Sequence, residues 1–316
     1  MGADRPRVAL TLGKFDGVHR GHQHLLAAVR DAARSHGAAS AALVLHPHPA
    51  TVLAGHRVPV LTEIVERLAL VGHEVDHARE LTFDTALASL TPEAFLDRLA
   101  ASFDIAAMVV GPDFAFGRGR AGTIDVLAAL GAAGGFEVVT VPPLILDGAP
   151  VSSARIRAAI ERGDVAGAGA LLGRPPRLRG TVVHGEQRGR TLGYPTANLA
   201  LGADYVVPAN GIYAVRVGWR AQGREDAAPN ERIGAASLGV RPQFDGDERT
   251  IEVYLLDFES DLYGFELAVD FLAFLRPEAR FESVEALVAQ IGRDVAAARE
   301  VGEGTGTSSL KGGAPR

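Results

Sequence analysis

His19 and His22 flank a glycine in the run Gly13-Lys14-Phe15-Asp16-Gly17-Val18-His19-Arg20-Gly21-His22. An apolar stretch, Val8 to Leu12, precedes the run, and a helical pattern from about Gly21 to Ser35 follows it. A strand, a glycine-containing loop and a helix N-terminus in that order attract anions, because free backbone N–H groups and the helix dipole both favour negative charge. Gly13, Lys14, Phe15, Asp16 and Gly21 are therefore candidate phosphate-binding positions, and Gly21 leaves room for a phosphate to approach the backbone. The two imidazoles can donate hydrogen bonds to oxygens that gain charge as a phosphate group departs. A histidine pair is usually plain surface; its place after a strand argues for chemistry.

The second half holds another constellation. Gly185 to Leu199 carries Gly185, Arg190, Thr191 and Gly193, a mixture that suits a flap closing over phosphates. Thr196 and Asn198 then stand two residues apart, so in extended backbone their oxygens point the same way. That arrangement can hold Mg²⁺ together with nucleotide phosphates, or it is an ordinary turn of a β-barrel. It is not the Gly-x-x-x-x-Gly-Lys-Ser/Thr pattern. In Ile251-Glu252-Val253-Tyr254-Leu255, alternation puts the aliphatic residues on one face and Glu252 on the other. An acid so placed either meets solvent or is positioned for chemistry.

The elements that must position these residues follow two grammars. Up to about residue 172, apolar strands (Val8–Leu12, Ala41–Leu45, Ala107–Val110, Glu137–Val141) alternate with helical patterns, which implies a parallel sheet with helices on both faces. Thr62 is expected to cap a helix carrying Glu63 and Glu66, and Thr91-Pro92-Glu93 is a strong helix start. Short helices are expected from Ser153 to Arg162 and from Asp164 to Leu172. Gly173-Arg174-Pro175-Pro176 breaks the pattern. Beyond it, short strands with glycine-rich turns (Arg179–His184, Gly211–Val217, Ala235–Gly239, Thr250–Phe258) read as an antiparallel barrel. A closing helix from Ser283 to Glu300 places Val284, Leu287, Val288, Ile291 and Val295 on one face. The expected organisation is residues 1–174, residues 175–301 and a flexible tail, 302–316. No internal repeat is evident.

Composition limits the functions on offer. The chain has 316 residues, 47% hydrophobic and 22% charged, with a net charge of −6. That charge gives no electrostatic footprint for nucleic acid. No apolar run approaches the roughly 20 residues needed to cross a membrane, and no secretory leader pattern is apparent. With no cysteine, disulfides, thiolate metal sites and cysteine nucleophiles are excluded, and the cytoplasm is the expected compartment. Of 32 basic residues, only Lys14 and Lys311 are lysines.

His19-Arg20-Gly21-His22 resembles the HxGH signature of nucleotidylyltransferases. Thr11 to Gln23 is similar to the N-terminal signature of bacterial bifunctional riboflavin kinase/FAD synthetases. His46-Pro47-His48-Pro49, Gly111-Pro112-Asp113-Phe114-Ala115-Phe116-Gly117 and Val151-Ser152-Ser153-Ala154-Arg155-Ile156-Arg157 follow in that family's order. Gly189-Arg190-Thr191-Leu192-Gly193-Tyr194-Pro195-Thr196-Ala197-Asn198 resembles the riboflavin kinase signature, the most specific motif in the chain.

The resemblance covers roughly residues 8 to 295 and implies two ATP-using reactions. Riboflavin would be phosphorylated to FMN in the barrel, with Glu252 as base and Mg²⁺ near Thr196 and Asn198. FMN would be adenylylated to FAD in the first domain, where His19 and His22 meet the departing pyrophosphate. Ser152, Ser153 and Arg157 would contact ATP phosphates; Ser152 or Ser153 can cap a helix and Arg157 supplies a fixed charge. His46, Pro47, Asp113, Phe116 and Arg276 would contact flavin. The implied partners are the small molecules riboflavin, FMN and ATP, without nucleic acid or membrane; a weak homo-oligomer stays open. This chain departs from the pattern at Lys14, His46, Ala115, Ala154 and Gln243. Two rival expectations follow: a kinase whose first domain is weakened or uses another nucleotide, and a non-catalytic flavin-binding protein.

Overall fold

The computed structural model describes residues 5–55, 57–185, 189, 192–220, 230–243 and 246–306. The chain divides into two compact units, Met1–Ser153 and Ala154–Arg316.

In the first unit, β1 (Arg7–Gly13), β2 (Ala39–His46), β3 (His77–Thr82), β4 (Asp104–Val110) and β5 (Glu137–Thr140) form one sheet in the order β3-β2-β1-β4-β5. Every pairing in it is parallel. Alternation along β1 explains the layers. Val8, Leu10 and Leu12 join a core with Phe95, Leu96 and Leu99 of α5 (Pro92–Ala100) and Leu127 of α6 (Ile124–Gly134). Ala9 faces the other core, built by Leu26, Val29, Ala32 and Ala33 of α1 (Arg20–Ser35) and Val71 of α3 (Ile64–Gly72). Short helices α2 (Pro49–Ala54) and α4 (Thr85–Ala88) and the hairpin β6 (Ile145–Leu146)–β7 (Ala149–Pro150) complete the unit. The strand order, not the chain direction, reverses between β1 and β4, the crevice where open parallel sheets bind ligands at the carboxyl ends of their strands. The loops after β1, β2 and β4 all leave that edge.

The second unit is a closed barrel, β10-β11-β12-β9-β8-β13, made of β8 (Arg177–Val183), β9 (Thr196–Leu201), β10 (Gly211–Trp219), β11 (Asn230–Gln243), β12 (Gly246–Leu255) and β13 (Glu266–Arg276). Tyr213, Val215, Val217, Leu238, Val253, Leu267 and Phe271 fill it. Helix α9 (Val284–Gly306) packs outside against β10, β11 and β13. Helices α7 (Ser153–Glu161) and α8 (Val165–Leu172) precede the barrel.

The parallel sheet, the antiparallel barrel and the closing helix agree with the expectation, with local differences. Helix α3 is entered through Glu63, without a side-chain cap; the amide of Thr62 instead donates to the Asp16 carboxylate at 3.3 Å. The break at Gly173–Pro176 falls inside the second unit, because α8 packs on β13 and the Phe271 amide donates to the Pro176 carbonyl at 2.9 Å. Val284 is 58% exposed and leaves the expected apolar face of α9. Residues 302–306, expected in a flexible tail, continue α9: Gly302 is buried, and a Cβ there would meet the Ile233 side chain. The tail from residue 307 lies outside the described residues, as do Arg190 and Thr191.

Candidate active sites

The loop from β1 to α1 is an unusual piece of backbone. Phe15 and Val18 have positive φ, 49° and 40°, which costs a non-glycine residue about 1–3 kcal/mol and persists only where the surroundings enforce it. Three anchors do so. Phe15 and Val18 are buried in the core beneath α1. Asp16, 4% exposed, accepts from the amides of Leu61 (3.0 Å) and Thr62 (3.3 Å) and from Nη2 of Arg67 (2.9 Å). Ser153 Oγ donates to the Asp16 carbonyl at 3.0 Å. At Phe15 and Asp16, expected phosphate-binding positions, the side chains are turned into the protein and hold the loop's shape. Lys14 is exposed.

His19 caps α1: its Nδ1 accepts from the His22 amide at 3.3 Å, so the ring proton sits on Nε2. The His22 ring stacks on it, centroids 3.7 Å apart and planes 16° from parallel. Nδ1 of His22 is buried without a hydrogen-bond partner among the described residues. Burial first, then the charges of His19, Arg67 and Lys14, hold His22 well below the usual imidazole range. His22 is therefore neutral at pH 7 and stacks on His19 without charge repulsion. Gly21 is required by closeness, since a Cβ there would lie 3.1 Å from both His19 Nδ1 and the Val151 carbonyl.

The remaining expected residues of this half divide. His46 ends β2 and accepts from the Phe83 amide at 2.8 Å; Pro47 follows it on the sheet edge that carries His19. His48 caps α2, its Nδ1 accepting from the Ala50 amide at 3.1 Å. Asp113 is exposed in the loop after β4. Phe116 is only 6% exposed and packs with Phe95 and Phe114, so its ring belongs to the core. Ser152 is partly buried next to Ser153. Arg157 stands on α7, in the second unit. Sequence reasoning missed Arg67. Its signal was an arginine on the stripe Ile64, Arg67, Val71 of an otherwise apolar helix face.

In the barrel, register brings the second set together. Glu252 on β12 lies opposite Asn198 on β9 and Ser237 on β11. Thr196 Oγ1 donates to Glu252 Oε2 at 3.1 Å. Ile251, Val253 and Leu255 are buried in the barrel, so Glu252 points to its outer face. Gly185 sits tight on the Asn198 amide, and no Cβ fits between them. Gly193 takes φ 83°, and the Tyr194 amide donates to the Gly189 carbonyl at 2.9 Å.

Two cavities meet at Thr196. One, of about 260 Å³, lies under α9 and is lined by Glu252, Ser237, Tyr254, Arg276 and Phe281, with Leu287 and Ile291 of the helix. The other, of about 420 Å³, lies between Pro195–Ala197 and the loop Phe258–Tyr263; His184 stacks on Tyr263 beside it, centroids 3.9 Å apart. Arg276 faces the first cavity, but its fork is given to Asp294 of α9 (Nε–Oδ1 2.8 Å, Nη2–Oδ2 2.6 Å) and its guanidinium lies 5.7 Å from the Phe281 ring centre. It therefore ties β13 to α9 along the cavity wall. Asp294 was not singled out from sequence.

A family model described as FAD synthetase matches residues 2–155, and one described as riboflavin kinase matches residues 172–302. The chain is 41% identical over 292 residues to the bifunctional riboflavin kinase/FMN adenylyltransferase of Pseudomonas fluorescens, covering 92% of this chain and 91% of that one. The chain belongs to the bifunctional riboflavin kinase/FMN adenylyltransferase family. The Listeria monocytogenes member is 38% identical over 291 residues, covering 90% of this chain and 89% of the relative. Membership makes the chain a transferase and matches the two units to two activities. A solved structure from Streptococcus pneumoniae, titled a macrolide-efflux protein, superposes with a TM-score of 0.82 at 34% identity, covering 93% of this chain and 94% of that one. Among the described residues no helix here is long and apolar enough to cross a membrane.

Proposed function

We infer that the barrel unit phosphorylates riboflavin and that the sheet unit transfers AMP from ATP to the resulting FMN. The observation that carries the first assignment is the Thr196–Glu252 hydrogen bond of 3.1 Å at the junction of two cavities. In this reading the cavity under α9 takes the flavin and the other takes the nucleotide. Glu252 accepts the proton of the ribityl 5′-hydroxyl as that oxygen bonds to the γ-phosphorus and the bond to the β-phosphate oxygen breaks.

The donor set suits magnesium. Thr196, Asn198 and Glu252 offer only hard oxygen atoms, and the described residues hold no cluster of three His, Cys, Asp or Glu. Thr196 and Asn198 would therefore share the ion with nucleotide phosphates. When bound, it neutralises phosphate charge. The protein's own share is to hold the hydroxyl beside Glu252 and to shield it with α9.

In the sheet unit an FMN phosphate oxygen attacks the α-phosphorus, and the bond to the pyrophosphate oxygen breaks. Neutral His22 and the Nε2–H of His19 can donate to the departing oxygens, next to the positive end of the α1 dipole. No covalent enzyme intermediate is required, so positioning and charge stabilisation supply the rate. A second reading, favoured by Lys14, His46, Ala115 and Ala154, is a first unit that adenylylates weakly or prefers another nucleotide. Assaying FMN with ATP, CTP and GTP separates the two. The reading places the chain in the cytoplasm, acting on small molecules without nucleic acid or membrane, with self-association weak at most.

The test is Glu252→Gln, which keeps the shape and removes the base. FMN formation should fall by about 10²–10⁴-fold, while FAD formation from supplied FMN stays at the wild-type rate. Unchanged FMN formation would remove Glu252 as the base.

A further inference from the structure

We propose that Arg67, a residue of α3 outside the loop itself, is a positioning residue for adenylyl transfer: it fastens the β1–α1 loop in the shape that presents His19 and His22. The proposal rests on the assignment of that transfer to the sheet unit.

Arg67 is 3% exposed and gathers the site's parts. Nη1 donates to the Lys14 carbonyl at 3.0 Å; Nη2 donates to Asp16 Oδ1 at 2.9 Å and to the Thr62 carbonyl at 2.7 Å. One planar fork thus joins the first residue after β1, the buried carboxylate of the loop and the segment entering α3. The strained residues Phe15 and Val18 bracket Asp16, so the point that Arg67 grips is the point where the loop would relax. A guanidinium reaches these acceptors in fixed directions; a lysine ammonium cannot span them.

Arg67 also acts through charge. The groups facing His22 are His19 and Lys14 from the loop and Arg67 from α3, and all three disfavour its protonation. Removing the Arg67 cation should therefore raise the pH at which His22 charges. This follows from the sign of the charge and needs no change in contacts.

The experiment measures FAD formation from FMN and ATP, and FMN formation from riboflavin, by the full chain carrying Arg67→Met or Arg67→Lys. With Arg67→Met, KM for ATP in FAD formation should rise about tenfold or more. The acid limb of its kcat/KM profile should move to higher pH, and FMN formation should be unchanged. Arg67→Lys should restore the acid limb but not KM, because it returns the charge without the fork. A merely structural arginine would lower thermal stability with both variants and leave the limb in place, and that result would overturn the proposal. So would wild-type KM and limb in Arg67→Met. If Arg67→Met lacks a folded first unit, Arg67→Lys decides alone: a raised KM supports the proposal and an unchanged KM overturns it. His22→Ala, run in parallel, tests the premise separately, since wild-type FAD formation by that variant would defeat the site assignment itself.

Discussion

At the scale of residues, the two sites use polar groups in opposite ways. In the sheet unit the side chains of Phe15 and Asp16 are spent on loop shape, and the stacked rings of His19 and His22 stand at the N-terminus of α1. His22 also sets a pH dependence of stability. Its folded value lies below the ordinary imidazole pKa of about 6.5. As pH falls through that value, the unfolded chain takes up a proton that the folded chain refuses, so stability declines with falling pH. Urea midpoints for wild type and His22→Asn, compared between about pH 7.5 and pH 5.5, should converge as pH falls. Parallel midpoints would show that His22 titrates normally. In the barrel the critical group is a glycine: Gly185→Ala should push the Asn198 amide aside and cut FMN formation by about 10²-fold, the cost of a misplacement near 1 Å, with FAD formation from FMN intact. The His19–Gly21–His22 spacing and the Glu252 alternation were legible because each is local. Arg67 was not legible, because its partner Asp16 lies 51 residues away and no local rule pairs them.

At the scale of elements, α9 covers the cavity proposed to take the flavin, and the Arg276–Asp294 pair fixes one edge of it. The side chains are 20% and 8% exposed, so losing one partner should cost about 2–4 kcal/mol, somewhat less than for a wholly buried pair. Asp294→Ala should therefore lower the melting temperature and raise KM for riboflavin more than KM for ATP. Equal effects on both substrates would mean that the pair only holds the helix. Most strands with apolar runs were readable; β3, β9 and β13 were not, nor were the two-residue strands β6 and β7. β3 is the polar edge sequence His77-Ala78-Arg79-Glu80-Leu81-Thr82, without a periodic signal. β9 is the very segment that carries Thr196 and Asn198, so its ligand motif masked its strand character. β13 is a near-continuous apolar run, which periodicity cannot distinguish from a buried helix.

At the scale of the molecule, the change of grammar from alternating helix and strand to short strands marks two units. The boundary was harder to see. Helices α7 and α8 extend the helical pattern of the first half in sequence, yet group with the barrel, and only tertiary packing reveals it. The central claim is that each unit carries one live site. It is tested most directly by following FMN and FAD over time from riboflavin and Mg-ATP, with Glu252→Gln, His22→Ala and a mixture of the two. Glu252→Gln alone should yield neither product, His22→Ala alone should accumulate FMN without FAD, and the mixture should form FAD. If each variant alone lost both reactions equally, or if His22→Ala made FAD at the wild-type rate, the two-site account would be contradicted.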